Sequence, residues 1–383
     1  MKKAAYAIVT LALLYLAASI INNTFYIYKP FKLGMNWADL RQTEEEKNCL
    51  QFIEREMDES SYGIYTNYLD KTEATELAGG HAVLSESEGI IMLYSVQKGD
   101  KAMFDKHFSI VKNNMTMKSG LIRWRINRNS GLLPASSASI DDLRIIRALF
   151  FAYDRWGDKE YRKMLVKVAR AVRSKELYQN CLVDFYDENM NTKAKTLTLS
   201  YIDLYTVELL SRLDSKWNKV RASGDGIISG ARISEEFPLY HKSFDIDSGK
   251  YSDDSEINII DSLLVALHLS EVSERPDEVL KWIKGQLEEN QGVFLSYDAR
   301  TGRPTSNNES TAAYGIIAQI AANTGDLELQ KKAEEKMLKY QITDATSKLY
   351  GAFGTEIKKE VYSFDNLQAL LGLQKYKYIK VNE

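Results

Sequence analysis

Cysteine, histidine and proline are scarce in this chain of 383 residues, with two, four and five of each. Two cysteines, Cys49 and Cys181, are too few for a disulfide framework, and buried thiols are the expectation. The histidines His81, His107, His241 and His268 stand isolated. No His/Cys spacing suits zinc, so neither a metal nor a cofactor is expected. A net charge of −3 leaves no basic footprint, which argues against nucleic acid as a partner. Neither a Gly-rich phosphate loop nor a nucleophile-elbow pattern occurs. Asp245-Ile246-Asp247-Ser248-Gly249 lacks the Gly and closing Glu of a calcium loop and reads as a turn. No Pro/Gly/Ser-rich linker divides the chain, so a single large domain is expected over 43–383, after a lead-in at 24–42.

One long apolar run is present. Lys2 and Lys3 precede uncharged residues from Ala4 to Ile21, the pattern of a cleaved signal peptide or an uncleaved anchor within residues 1–23. The lysines stay on the cytoplasmic side. The expectation is a protein outside the cytoplasmic membrane, secreted or tethered to its outer face by residues 4–21.

A short junction recurs through the rest. Gly99-Asp100, Gly157-Asp158 and Gly325-Asp326 each separate an apolar helical pattern from a charged one, with weaker versions at Asp214 and at Pro276-Asp277. Gly closes a helix in the left-handed conformation, and Asp caps the free N–H groups of the next. A unit of roughly 57 residues repeated along the chain predicts a closed set of helical hairpins, an all-α (α/α)6 barrel. The helices apolar all round belong inside: 87–96, 141–153, 201–213, 257–269, 310–323 and 364–375. The one-faced helices belong outside. The stretch 226–251 reads as a small β or loop insertion, with a hairpin at the Ser248-Gly249 turn.

Alternate helices of such a barrel run the same way, so the starts of the inner ones meet at one end. Acids gather there, at Ser85-Glu86-Ser87-Glu88-Gly89, at Ser139-Ile140-Asp141-Asp142 and at Tyr251-Ser252-Asp253-Asp254. A single acidic helix start is ordinary capping. Three on one rim concentrate like charge, which costs stability unless it serves a task.

The ordered set resembles glycoside hydrolase family 8. Ser87-Glu88-Gly89 is similar to that family's Ser-Glu-Gly segment. Ala138-Ser139 with Asp142-Leu143-Arg144-Ile145 and Trp156 tracks its signature. Tyr251-Ser252-Asp253-Asp254 resembles the segment of the base, Leu199-Ser200-Tyr201 a Pro-Ser-Tyr segment, and Gly120 to Trp124 the segment of a sugar-stacking Trp. The resemblance implies an endo-acting, inverting hydrolase of a β-linked bacterial exopolysaccharide. Glu88 would be the general acid and Asp254 the general base. Asp142, or Asp141 in its place, would hold the sugar at the cleavage point, with Trp124, Tyr201 and Arg144 binding substrate. The signature's first Asp falls on Ile140, and the Arg expected after the base falls on Ile257, so a divergent branch is implied. A polysaccharide lyase on the same barrel and an inactive glycan-binding subunit are the alternatives.

Overall fold

The computed structural model describes residues 6–18, 31–70, 79–127 and 134–378, apart from 7, 36, 38 and 39. Much of the expected export segment 1–23 and of the lead-in lies outside the described residues. Helix α1, residues 8–18, is exposed. No helix among the described residues is long and apolar enough to cross a membrane.

The fold is mostly helical. The buried helices are α3 (Ser85–Lys98), α5 (Ser139–Trp156), α7 (Leu204–Ser211), α9 (Ile259–Glu271), α11 (Thr311–Thr324) and α13 (Ser363–Leu373). Between them run α2 (Glu44–Phe52), α4 (Lys101–Ile110), α6 (Lys159–Lys175), α8 (Trp217–Ser229), α10 (Asp277–Glu289) and α12 (Leu327–Leu338). Packing order among the buried set goes α3 to α5, α7, α9, α11 and α13, and returns to α3.

The junctions do what the sequence predicts. Gly99, Gly157 and Gly325 take φ of 83°, 72° and 74° at the ends of α3, α5 and α11. Asp100, Asp158 and Asp326 cap α4, α6 and α12 through their side chains. At the weaker junction after α9, Ser273 takes the left-handed turn at φ 64°.

The helix starts differ from the sequence expectation. Helix α3 begins at Ser85, two residues before the predicted start. Residues Glu256–Asn258, expected partly in a helix, form a strand paired with Ser296–Asp298, and α9 begins at Ile259. The predicted insertion is shorter, because α8 runs on to Ser229. The hairpin at Ser248-Gly249 is present, with Phe244 opposite Tyr251 and Asp245 opposite Lys250. Short strand pairs therefore lead directly into buried helices. Val83–Leu84 with Arg125–Ile126 precedes α3, and Thr196–Thr198 with Ser243–Asp245 precedes the turn Leu199–Tyr201 and α7.

Candidate active site

A cleft of about 350 Å³ opens where α3, α5 and α9 start, and Glu86, Trp124, Asp141, Arg144, Tyr201, Asp261 and Phe364 line it. Ser85 fixes one side: its N–H donates to the Trp124 carbonyl at 3.0 Å. Its hydroxyl donates to Asp141 Oδ2 at 2.6 Å. Arg144 Nη1 donates to Asp141 Oδ1 at 2.8 Å, so both oxygens of that carboxylate are held. The Arg144 stem crosses α3 at Gly89, where a Cβ would lie 3.2 Å from Arg144 Cδ. The Arg125 guanidinium covers one face of Trp124, 4.5 Å from its centroid.

Burial, with Asp141 adding and Arg144 opposing, pushes the Glu86 carboxyl up to about 7. Asp141 is raised by burial against the pull of Arg144. Tyr201 ends the turn before α7 and is raised by burial and by the charges of Asp141, Asp184 and Glu86. Across the cleft, Ser200 donates to Asp261 Oδ1 at 3.3 Å. Burial lifts Asp261, Lys242 opposes, and Asp254 adds to the lift. The arrangement presents a carboxyl that holds its proton up to about neutral pH on one wall and a second carboxyl group on the other, and acid and base work uses two such groups.

Of the seven residues expected at the site, the structure places Asp141, Arg144, Trp124 and Tyr201 on the cleft. It corrects Glu88. Two helical residues span about 200° at ~100° each, so Glu86 and Glu88 face opposite ways. Glu88 is fully buried, its carboxylate accepting the Ile64 N–H at 2.9 Å and meeting His107 Nδ1 at 2.8 Å. Gly63 passes so close that a Cβ there would lie 2.5 Å from Glu88 Oε1. Asp142 is corrected likewise: it is fully buried and turned away from the cleft, accepting the Ile122 N–H at 2.9 Å. Asp254 is half-buried, near enough to add to the lift of Asp261 but not lining the cavity, and Ser252 donates to it at 2.5 Å. Sequence reasoning missed Glu86, Asp261 and Phe364. Glu86 carried a signal in the doubled Ser-Glu of 85–88, which can be read in either of two phases.

Among the described residues, Asp203, His268 and Glu271 form a group with metal-ligand proximity. Arg147 already fills it, donating to both Glu271 oxygens at 2.6 and 2.7 Å and to Asp203. Its fixed positive charge opposes a metal ion there.

The profile described as Glycosyl hydrolases family 8 matches residues 78–183. A solved structure described as a novel alpha-amylase from Clostridium perfringens is 43% identical with a TM-score of 0.82, over 87% of this chain and 97% of that one. PssZ from Listeria monocytogenes is 22% identical with a TM-score of 0.69, over 88% and 98%. YdaJ of Bacillus subtilis (strain 168), provisionally named a lipoprotein, is 26% identical over 90% of this chain and 93% of its own length.

Proposed function

Because the chain belongs to glycosyl hydrolase family 8, we propose that it hydrolyses internal bonds of a polysaccharide with inversion, on an (α/α)6 barrel closed by the contact of α13 with α3. The observation that carries this is Glu86, a cleft carboxyl pushed up to about 7, facing acids three inner helices away. An acid protonated at neutral pH can hand its proton to the leaving oxygen. Inversion needs the base ~6.5–9.5 Å distant so that a water fits between, against ~5–5.5 Å for retention. Helices α3 and α9 stand opposite one another in the packing order, which favours the wider spacing.

Glu86 is the general acid in this reading. Asp254, where the resemblance puts the base, takes the proton of the attacking water. Asp261 is the second reading for the base, favoured by its place on the cavity wall. Asp141, held by Ser85 and Arg144, grips the sugar at the cleavage point, and Trp124 and Tyr201 pack on sugar faces. The acid excess, with Tyr201 raised rather than lowered, opposes a lyase, which needs an ionisable base beside cations.

For the substrate, the 43% identical relative described as an alpha-amylase favours an α-linked glucan. A β-linked bacterial exopolysaccharide, the expectation from the sequence, is the second reading. Export rests on the apolar run after Lys2-Lys3, and the lipoprotein name of YdaJ supports a place outside the cytoplasmic membrane. Soluble starch and a set of β-linked exopolysaccharides, with fragment sizes and the anomeric form of fresh product read by NMR, test the proposal. Product of retained configuration overturns the base role, and full activity of Glu86→Gln overturns the site. Asp254→Asn and Asp261→Asn separate the two readings of the base.

A further inference from the structure

Behind the cleft, on the far side of the α5 start, two more acids meet in the dry interior. Asp142 and Glu176 are both fully buried. Each has one oxygen served by a donor: Asp142 Oδ1 by the Ile122 N–H at 2.9 Å, and Glu176 Oε1 by the Ser137 hydroxyl at 2.5 Å. The two side chains lie within hydrogen-bond reach of each other. The oxygen each has left, Asp142 Oδ2 and Glu176 Oε2, is buried without another partner. Two carboxylate oxygens in contact repel unless a hydrogen lies between them, and two such groups in one buried site do not both ionise.

We infer that Asp142 and Glu176 share a single proton in an O–H···O bond that fixes the first turn of α5 to the end of α6, and so sets Asp141 in the cleft as a positioning pair. The inference goes beyond the proposed hydrolysis, and only its kinetic part rests on that reading.

The charges around the pair leave the proton as its counter-charge. Burial raises Asp142 most, and Glu176 and Asp141 add to it. Burial likewise raises Glu176, Asp141 adds, and Lys193 opposes. Lys193 donates to the Leu177 carbonyl at 2.9 Å and is itself lowered by burial and by Lys175. Lys175 in turn rests on the Tyr186 hydroxyl at 3.2 Å. Arg144, on the cleft side, is taken by Asp141. With Asp141 paired to Arg144, one weakened cation thus faces the two acids of the pair.

Asp141 follows from this geometry. Its bonds to Ser85 and Arg144 require the first turn of α5 to stand in one place, and a misplacement of about 1 Å near the reacting centre costs on the order of 10²-fold in rate. A pair stripped of its proton pushes apart at that turn. The native state binds a proton here that the unfolded chain gives up at ordinary carboxylate pH. Asp142, raised well above the ordinary range, keeps the shared proton, so stability falls as pH rises from that range toward the raised value of Asp142.

Glu176→Gln tests this in the full-length chain, since the amide donates to Asp142 while its oxygen still accepts from Ser137, and no shared proton is needed. Infrared difference spectra are taken in a Glu86→Gln background, so that Glu86 adds no band. The expected result is a protonated-carboxyl C=O band at neutral pH that Glu176→Gln removes, with a flatter fall of Tm toward alkaline pH. A band unchanged by Glu176→Gln, or an unchanged pH slope of Tm, overturns the shared proton. With Glu86 intact, Glu176→Ala is expected to lower kcat at least tenfold with KM little changed, and Glu176→Gln to restore it. Unchanged kcat in Glu176→Ala overturns the positioning role. Should Glu176→Ala fail to fold, the infrared band and the kcat of Glu176→Gln decide, and a kcat for Glu176→Gln far below that of the unmodified chain counts against it.

Discussion

Arg144 and Arg147 sit three residues apart on α5 and meet two different groups of acids. Arg147 donates to both oxygens of Glu271, to Asp203, and through Nε to Thr206 at 2.9 Å. Burial alone would raise both acids, yet Arg147 holds each below its ordinary range. Arg144 makes one charged contact, with Asp141, and leaves Glu86 and Asp141 raised. The first group is balanced and serves cohesion. In the second, burial outweighs the pull of Arg144 and raises Glu86, the group that donates the proton in the proposed reading.

The comparison breaks most sharply at Glu86. Glu86→Gln is expected to lower turnover ~10²–10⁴-fold with Tm unchanged or raised, measured by kcat and thermal unfolding. Glu88→Gln is expected to do the reverse, keeping turnover per folded molecule while lowering Tm. On the balanced side, Arg147→Ala leaves two buried acids without their arginine, with only His268 beside them. A loss of about 3–5 kcal/mol in urea unfolding is expected.

Smaller effects sharpen the contrast. Activity should fall as pH rises through about 7, as Glu86 loses its proton. Arg144 lowers the Glu86 pKa, so Arg144→Met should move that limb of the kcat profile to higher pH. His107 gives the structural counterpart. Burial opposes its charge, but Glu88 and Asp58 hold it up at about 9. Its contribution to stability is whole below the unfolded value of ~6.5 and is lost as pH rises through 9. Tm of Glu88→Gln measured across that interval should show a weaker decline. Trp124→Ala should have the smallest effect, raising KM a few-fold through ~0.5–1.5 kcal/mol of lost stacking.

The helical repeat was legible because its signals are local. A Gly that closes one helix and an Asp that caps the next act within a few residues, and Gly99-Asp100 or Gly325-Asp326 reads the same in sequence and structure. The face an acid presents was not legible, because it depends on where the helix begins. The resemblance gave the acid to Glu88, whereas α3, starting at Ser85 rather than Ser87, turns Glu86 to the cleft. A helix drawn from Ile257 put Asp254 at its start, whereas the strand Glu256–Asn258 hands the first turn of α9 to Asp261. The meeting of Asp142 with Glu176, or of Arg147 with Glu271, joins separate helices, and no spacing along the chain announces it.

The contacts of Tyr378 bear on how such a chain folds. Its hydroxyl accepts from Arg147 at 3.0 Å and from Gln97 at 3.3 Å, and α13, just before it, packs on both α11 and α3. Tyr378 thus joins groups 281 and 231 residues away along the chain. Loop closure over so many residues is slow, so the ring of buried helices is expected to close late in folding.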